Sequence, residues 1–375
     1  MIKVAIPITG INEFKSLKKV VLSGKFVSGE NVEIFEKDYA KFIGTKYAVA
    51  VNSGTAALHA SLASLGLKKG DEVIVPAISF VSSATAILHQ GCIPVFCDVN
   101  LENYCMCPTS LEKNITKRTK AIIPVHFAGS SCEMKKIIKI AKKYKIKIIE
   151  DCAQAHGTKY FGKNVGTFGE VSCFSFYATK HMTTGEGGIL CTDNKNIRDF
   201  CRSFRNHGMK DRDTHFQLGY NFRMSELNAA IGRVQLKKLN QINQKRVKNS
   251  LYLLENLKNQ KNKNKWFQIQ EPIKEIYHTY FWCPIRIISK KISIDEVKNK
   301  LKKRGIEIRS RYKFPLYRQK VFQNFYFKKN QNYRKLRLLN AEKLSGKIFG
   351  LPNHYKLKKK DLDYIIKTMG NLFEK

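Results

Sequence analysis

The chain has 375 residues, 43% of them hydrophobic, and carries 68 Lys and Arg against 30 Asp and Glu, a formal charge of +38. That length and apolar content bury a sizeable core, favour about two domains and exclude disorder as the default state. No apolar run approaches the ~18 residues of a membrane span, and the start, MIKVAIPITGINEF, has too short an apolar run for a secretory signal.

Taken in chain order from residue 46, short runs rich in Val and Ile, bounded by Gly, Pro, Asn or Asp, read as strands: KYAVAVN, DEVIVPA, IPVFCDV, KAIIPVHFAG and KIKIIED. Helical patterns follow NSGTA and PAISF. Between the last two runs, Met134, Ile137, Ile138 and Ala141 fall at i, i+3, i+4 and i+7, the apolar stripe of an amphipathic helix. Strand-helix alternation with near-continuous apolar strands predicts an α/β fold: a mostly parallel central sheet covered by helices on both faces. EVSCFSFY and GGILCTD add two further strands, and MSELNAAIGRVQLKKLNQINQKR leads out as a helix. Beyond residue 255 the chain turns polar and lysine-rich, with a β-like run in FWCPIRII and a last helix in KKDLDYIIKTMG. The expected division is a large domain over 1–240 and a smaller α+β domain over 241–375.

The ten cysteines form no CxxC pair; Cys105 and Cys107 are separated by one residue and Cys92 and Cys97 by four, spacings that suit neither a zinc site nor a disulfide framework. A cytoplasmic protein with reduced thiols and no metal is expected. The positive charge is uneven, since residues 241–375 hold 34 Lys and Arg against 10 Asp and Glu. Scattered among Asn and Gln, without a helix-turn-helix, zinc-finger or RNP-like pattern, these charges read as solvated helix faces, and no nucleic-acid partner is expected. The competing reading, a fold co-opted as a nucleic-acid-binding regulator, requires a salt-sensitive complex with DNA or RNA.

In open α/β sheets, ligands bind outside the carboxyl ends of the strands. Three chemical groups sit at such ends: Asp151 closes KIKIIED, Ser53-Gly54-Thr55 follows KYAVAVN into a helix, and Lys180 follows SCFSFYAT. Each alone reads as a cap or a turn. Together they meet the needs of pyridoxal phosphate: an amine for its aldehyde, an acid for its ring nitrogen and donors for its phosphate. Desolvation at a strand end favours the neutral amine of Lys180. Asp151 is placed to pair with the pyridinium nitrogen, and the amides of Gly54 and Thr55, with the Thr55 hydroxyl, open a helix where an anion is favoured. Ser175 adds a hydroxyl, Phe80 a ring to stack on the cofactor and Gln154 a contact to its ring oxygen. The glycines of GEGG let the chain turn tightly beside it.

These motifs make the chain resemble the DegT/StrS sugar aminotransferases, pyridoxal-phosphate enzymes of the aspartate aminotransferase fold type. The likeness runs from about IPITG to KTMG and includes GENVEIFEKDYAKFIGTKYAVAVNSGTAALHASL, GDEVIVPAISF, IIEDCAQAHGTKYFGKNVGTFG, SFYATKHMTTGEGG, LGYNFRMSELNAAIGRVQL and LPNHYKL. The resemblance implies Lys180 as the Schiff-base lysine, Asp151 as the pyridinium partner, Gln154 at the ring oxygen, Gly54, Thr55 and Ser175 at the phosphate, and Phe80 as the stacking ring. It implies that Asn221 reaches the phosphate of a neighbouring subunit, hence a homodimer with shared sites. Arg223 is a candidate for an anionic group of the substrate, and Tyr312, with Arg309 or Arg311, belongs to a segment resembling the family's substrate-side loop. Departures are His181, where the family more often has asparagine and where a substrate contact or a turn filler are both open, and Ser130-Ser131. His126, His156 and His207 read as structural. The implied reaction takes an amino group from L-glutamate, through pyridoxamine phosphate (PMP), to a nucleotide-linked keto sugar, with C-4 of a 4-keto-6-deoxy sugar favoured and C-3 or an inosose left open.

Overall fold

A computed structural model describes residues 1–259, 266–271, 273–326, 333 and 335–373. Two helices, α1 (Ile11–Ser23) and α2 (Glu30–Ile43), precede the first strand. All seven apolar runs then enter one sheet: β1 (Tyr47–Val51), β2 (Glu72–Pro76), β3 (Ile93–Cys97), β4 (Thr119–Ile122), β5 (Lys147–Asp151), β8 (Val171–Ser175) and β9 (Gly188–Thr192). Their order is β1-β9-β8-β5-β4-β2-β3. Strands β3, β2, β4, β5 and β8 run parallel, while β9 is antiparallel to both β8 and β1. Between β5 and β8, the short β6 (Lys159–Tyr160) and β7 (Lys163–Asn164) pair in a ribbon.

Side-chain alternation assigns the two faces. Val49, Val51, Cys173 and Leu190 share a core with α3 (Gly54–Ser64) and α4 (Ser82–His89), whereas Ala48, Ala50, Phe174, Ile189 and Cys191 share one with α2. α5 (Pro108–Lys113), α6 (Met134–Tyr144) and α7 (Lys195–Phe204) complete the shell. α6 buries Met134, Ile137, Ile140 and Ala141, so the expected stripe is rotated slightly, with Ile140 facing inward and Ile138 half-buried. The run KAIIPVHFAG is shorter as a strand than its composition suggests. Pro124 has no N–H to give the ladder, and Phe127–Gly129 turns through Ala128 at φ 55° and Gly129 at φ 97°.

α8 (Glu226–Lys258) passes through residue 240 without a break. The boundary placed there by composition therefore falls inside one helix that serves two cores: Ala229 and Leu239 pack beneath the large sheet, and Leu253, Leu254 and Leu257 pack in the second core. That core backs the sheet β10-β12-β14-β13, built from β10 (Phe267–Ile269), β12 (Cys283–Ile287), β13 (Arg309–Ser310) and β14 (Ile348–Leu351); β11 (Ile276–Tyr277) instead joins β6. The helices Ile294–Lys303 and Lys359–Gly370 cover this sheet through Val297, Leu301 and Ile365. We propose that the second unit begins within α8 rather than at a linker. Among the described residues, no helix is long and apolar enough to cross a membrane.

Two carboxylates tie distant segments to this frame. Glu226 accepts hydrogen bonds from the amides of Gly29, Asn31 and Val32, each at 2.9 Å, so the first residue of α8 neutralises the amino end of α2. Glu150 is fully buried at the end of β5 and accepts from the amides of Gly166 (2.8 Å), Phe168 (2.6 Å) and Gly169 (2.8 Å). Its fourth partner is His126 Nε2 at 3.0 Å. Because Cys132 N–H donates to His126 Nδ1, the ring proton sits on Nε2 and points at Glu150. His126, Glu150 and Cys152 lie close enough to hold a metal ion, but the Glu150 oxygens are already occupied by these donors. Replacing Glu150 by Gln puts an amide among four donors, and Glu150→Gln is expected to lose about 2–4 kcal/mol of stability in urea unfolding. A loss below about 0.5 kcal/mol contradicts this account of the β5 terminus.

Candidate active site

The carboxyl ends of β1, β2, β5 and β8 open onto a cleft of about 340 Å³ closed on its far side by Phe281, Trp282, Arg309, Arg311 and Tyr312 from the second unit. At one end, Ser53 caps α3 by accepting from Ala56 N–H at 3.1 Å. Among the described residues, the amides of the next two positions, Gly54 and Thr55, find no acceptor. Thr55 Oγ1 bonds Ser82 Oγ at 2.8 Å, and Ser175, the last residue of β8, borders the same end of the cleft. A Cβ on Gly54 would stand 2.8 Å from that of Ser175, and one on Gly188 would strike the Ser53 carbonyl. These two glycines let β8 and β9 pass against the α3 terminus. The result is an anion cradle of two free amides, three hydroxyls and a helix dipole.

Asp151 extends from the end of β5 into the middle of the cleft. Its Oδ2 accepts from Ser83 Oγ at 2.7 Å and its Oδ1 from Ala153 N–H at 3.1 Å. Ser79 and Ser83 are joined at 2.7 Å, which continues the chain of hydroxyls that fixes the carboxylate. Gln154 Oε1 accepts from Ala128 N–H at 3.1 Å, and its Nε2 faces Tyr312 Oη at 3.3 Å. Phe80 lines the cleft with 53% of its surface exposed, so it is a free ring face and not part of the core.

Lys180 lies on the cleft floor, its ammonium 4.8 Å from the centre of the Phe281 ring. Desolvation is the main influence on it; Asp151 opposes the loss of its proton, while Arg309 and Arg311 favour it. The net effect brings its pKa down from 10.5 to about 8, so a substantial fraction is neutral near physiological pH. The guanidinium of Arg309 sits 4.6 Å from the centre of the same Phe281 ring. A neutral amine, a fixed acid and an anion cradle around one cavity fit pyridoxal phosphate as a chemical set, and the two unpartnered amides are the feature that a phosphate satisfies.

Two expected substrate contacts, His181 and Arg223, are placed differently. His181 is 2% exposed and does not line the cleft; its ring packs between His156 and Phe281 at 5.3 and 5.5 Å. Burial, with Arg246 next in weight, holds it well below the ordinary histidine range, so it stays neutral. It fills the turn. Arg223 also lies off the cleft, with Nη1 donating to Asn206 Oδ1 at 2.6 Å. Asn221 is exposed on the segment that bridges Asn206 and is not in its own chain's cleft. Tyr312 does line the cleft, at φ 60°. Sequence reading passed over Ser79, Ser82 and Ser83, hydroxyls in one run after β2, and Phe281 and Trp282, whose apolar setting reads as ordinary strand.

Comparison with known proteins agrees with this geometry. The sequence profile described as the DegT/DnrJ/EryC1/StrS aminotransferase family matches residues 7–370. GDP-perosamine synthase of Escherichia coli O157:H7 is 34% identical over 348 residues, 92% of this chain and 91% of the relative. Helicobacter pylori PseC, an aminotransferase involved in pseudoaminic acid biosynthesis, superposes with a TM-score of 0.90 at 29% identity, over 99% of this chain and 98% of that one. The Bacillus subtilis protein NtdA, solved with its cofactor PMP, superposes at 0.87 and 29% identity, over 97% and 82%. The chain thus belongs to the DegT/DnrJ/EryC1/StrS aminotransferase family, and pyridoxal phosphate is its cofactor.

Proposed function

We propose that this chain moves an amino group from L-glutamate to a nucleotide-linked keto sugar, at C-4 of a 4-keto-6-deoxy sugar, for surface polysaccharide synthesis in the cytoplasm. The observation that carries the reading is the half-buried amine of Lys180, depressed to about 8, in one cavity with Asp151 and the α3 cradle. The similarity to GDP-perosamine synthase supports a sugar nucleotide as acceptor.

Pyridoxal phosphate, when bound, supplies an electron-accepting ring that stores the amino group between the two half-transfers. Lys180 Nζ would hold the cofactor's aldehyde, and as a free amine it would serve as base toward the donor Cα and as acid toward the sugar carbon. Asp151, oriented by Ser83 and Ala153, would pair with the ring nitrogen and hold its proton. The amides of Gly54 and Thr55, with Ser175, would take the phosphate, Phe80 would cover a ring face, and Gln154 would reach the ring oxygen. A homodimer completes the site through Asn221. Its support is an apolar surface on and near α1, where Ile11, Phe14, Leu22 and Val27 are 62%, 62%, 75% and 65% exposed, a face that a second copy covers.

Lys180→Ala is expected to lower turnover by at least about 10³-fold and to remove the visible absorbance of the enzyme-bound cofactor, both read from the purified variant. Normal transamination by that variant contradicts the assignment. The apo-protein's rate of combining with pyridoxal phosphate should rise with pH with a midpoint near 8 and level off above it, because the reactive neutral amine predominates above that value and is lost below it. Arg309→Met, which removes a charge that disfavours the ammonium, should move the midpoint upward. A wild-type midpoint near 10.5 speaks against a desolvated Lys180.

A further inference from the structure

The chain leaving β2 enters α4 through an apolar setting. Ala77, Ile78, Ala84, Ala86 and Ile87 are each at most 1% exposed, and alanine would suit positions 79 and 83 as well as it suits these neighbours. Both are serine instead, 3% and 1% exposed. A buried hydroxyl without a partner costs more than the methyl group that could replace it, so each of these needs a use.

Their bonds show where the protons go. Ser83 Oγ gives its single proton to Asp151 Oδ2 at 2.7 Å, so in the 2.7 Å contact between Ser79 and Ser83 the donor is Ser79. Two O–H dipoles in series therefore point at one carboxylate oxygen, and such a chain polarises toward the charge at its end. The other oxygen takes Ala153 N–H at 3.1 Å. Asp151 is itself 4% exposed, so these bonds substitute for the water that solvates a surface carboxylate. Helix capping does not account for Ser83: the N-cap of α4 is Val81, and the Ser83 hydroxyl donates across to β5. The preceding residue, Ser82, bonds Thr55 Oγ1 at 2.8 Å, so neighbours on one helical turn reach the acid and the anion cradle.

We propose that Ser83, backed by Ser79, is a positioning residue that keeps the shared proton on the cofactor's ring nitrogen and off Asp151. The proposal rests on the pairing of Asp151 with that nitrogen and adds what decides the side on which the proton lies. Hydrogen bonds to the charged form of a carboxylate favour that form. With the Ser83 donor in place Asp151 stays an anion beside a cationic ring; without it the buried carboxylate draws the proton to itself, and the ring accepts electrons less readily.

The test uses the enzyme loaded with pyridoxal phosphate isotopically labelled at the ring nitrogen, whose magnetic resonance separates protonated from unprotonated rings. Wild type should lie in the protonated range. Ser83→Ala should move the resonance toward the unprotonated position and slow the half-transfer from saturating L-glutamate by about tenfold, with the half-saturating concentration within about twofold of wild type. Ser79→Ala should move both in the same direction by less. Ser83→Thr, which returns the donor, should bring the rate to within about threefold of wild type; a Thr variant with the wild-type urea midpoint that stays as impaired as Ser83→Ala counts against the proposal. Thr85→Ala, which removes a hydroxyl from the same helix outside the chain of bonds, should change neither readout. A Ser83→Ala protein with the wild-type resonance overturns the proposal. Asp151→Asn separates it from the parent reading. Loss of the ring proton in Asp151→Asn but not in Ser83→Ala removes the hydroxyl chain alone, whereas a ring still protonated in Asp151→Asn removes the pairing of Asp151 with the nitrogen and the proposal with it.

Discussion

The site depends on what happens at the last two residues of β5. Strand geometry sends consecutive side chains to opposite faces, so Glu150 and Asp151 leave the same strand end in opposite directions. Glu150 gathers three backbone amides and His126 and so fixes the loop at 166–169 and the turn after β4. The backbone of Asp151 is clamped as well, its N–H donating to the Pro124 carbonyl at 2.9 Å and its own carbonyl accepting from His126 N–H at 3.0 Å. With the strand end immobilised from behind, the Asp151 carboxylate needs only Ser83 and Ala153 to hold its direction. A carboxylate meant to hold one proton on a bound ring benefits from this rigidity, because reorientation would weaken the interaction at the moment it is needed.

Around that carboxylate the interior is rich in cationic side chains. Lys180, Arg309 and Arg311 line the cleft with Asp151 and Glu186 as its acids, and Arg246 lies behind it, donating to the carbonyls of Phe281 (3.2 Å) and Asn353 (2.6 Å). His156 and His181, buried between these groups, are held neutral, His156 by burial with Lys180 next, down to about 3. The excess of positive charge has two consequences in one place. Together with burial, the main influence, it keeps Lys180 from holding its proton tightly, and it leaves the cleft electrostatically incomplete until the anionic cofactor arrives.

Much of this was legible in the sequence, for reasons of periodicity. Seven apolar runs gave seven strands because each is buried on both faces and flanked by turn residues. Asp151, Lys180 and Gly54-Thr55 stood out because a chemical group at a strand's carboxyl end has few structural uses. Side-chain direction within turns was not legible: nothing in SFYATKHM says that Lys180 faces the cleft while His181 packs away among His156 and Phe281, nor that Arg223 turns to Asn206. The hydroxyls of Ser79, Ser82 and Ser83 look like an ordinary helix start until β2 and β5 are seen in one sheet with β4 between them. The continuity of α8 through residue 240 was hidden because a single long helix carries apolar residues for both cores, and composition changes only near its end.

The central claim is that one amine among many, Lys180, is the one that holds the cofactor. Reducing the cofactor-loaded enzyme with borohydride fixes the cofactor irreversibly to whichever amine carries it, and peptide mass mapping then reads the position. The account predicts a single modified site at Lys180. Stoichiometric modification at any other lysine, with Lys180 unmodified, contradicts it.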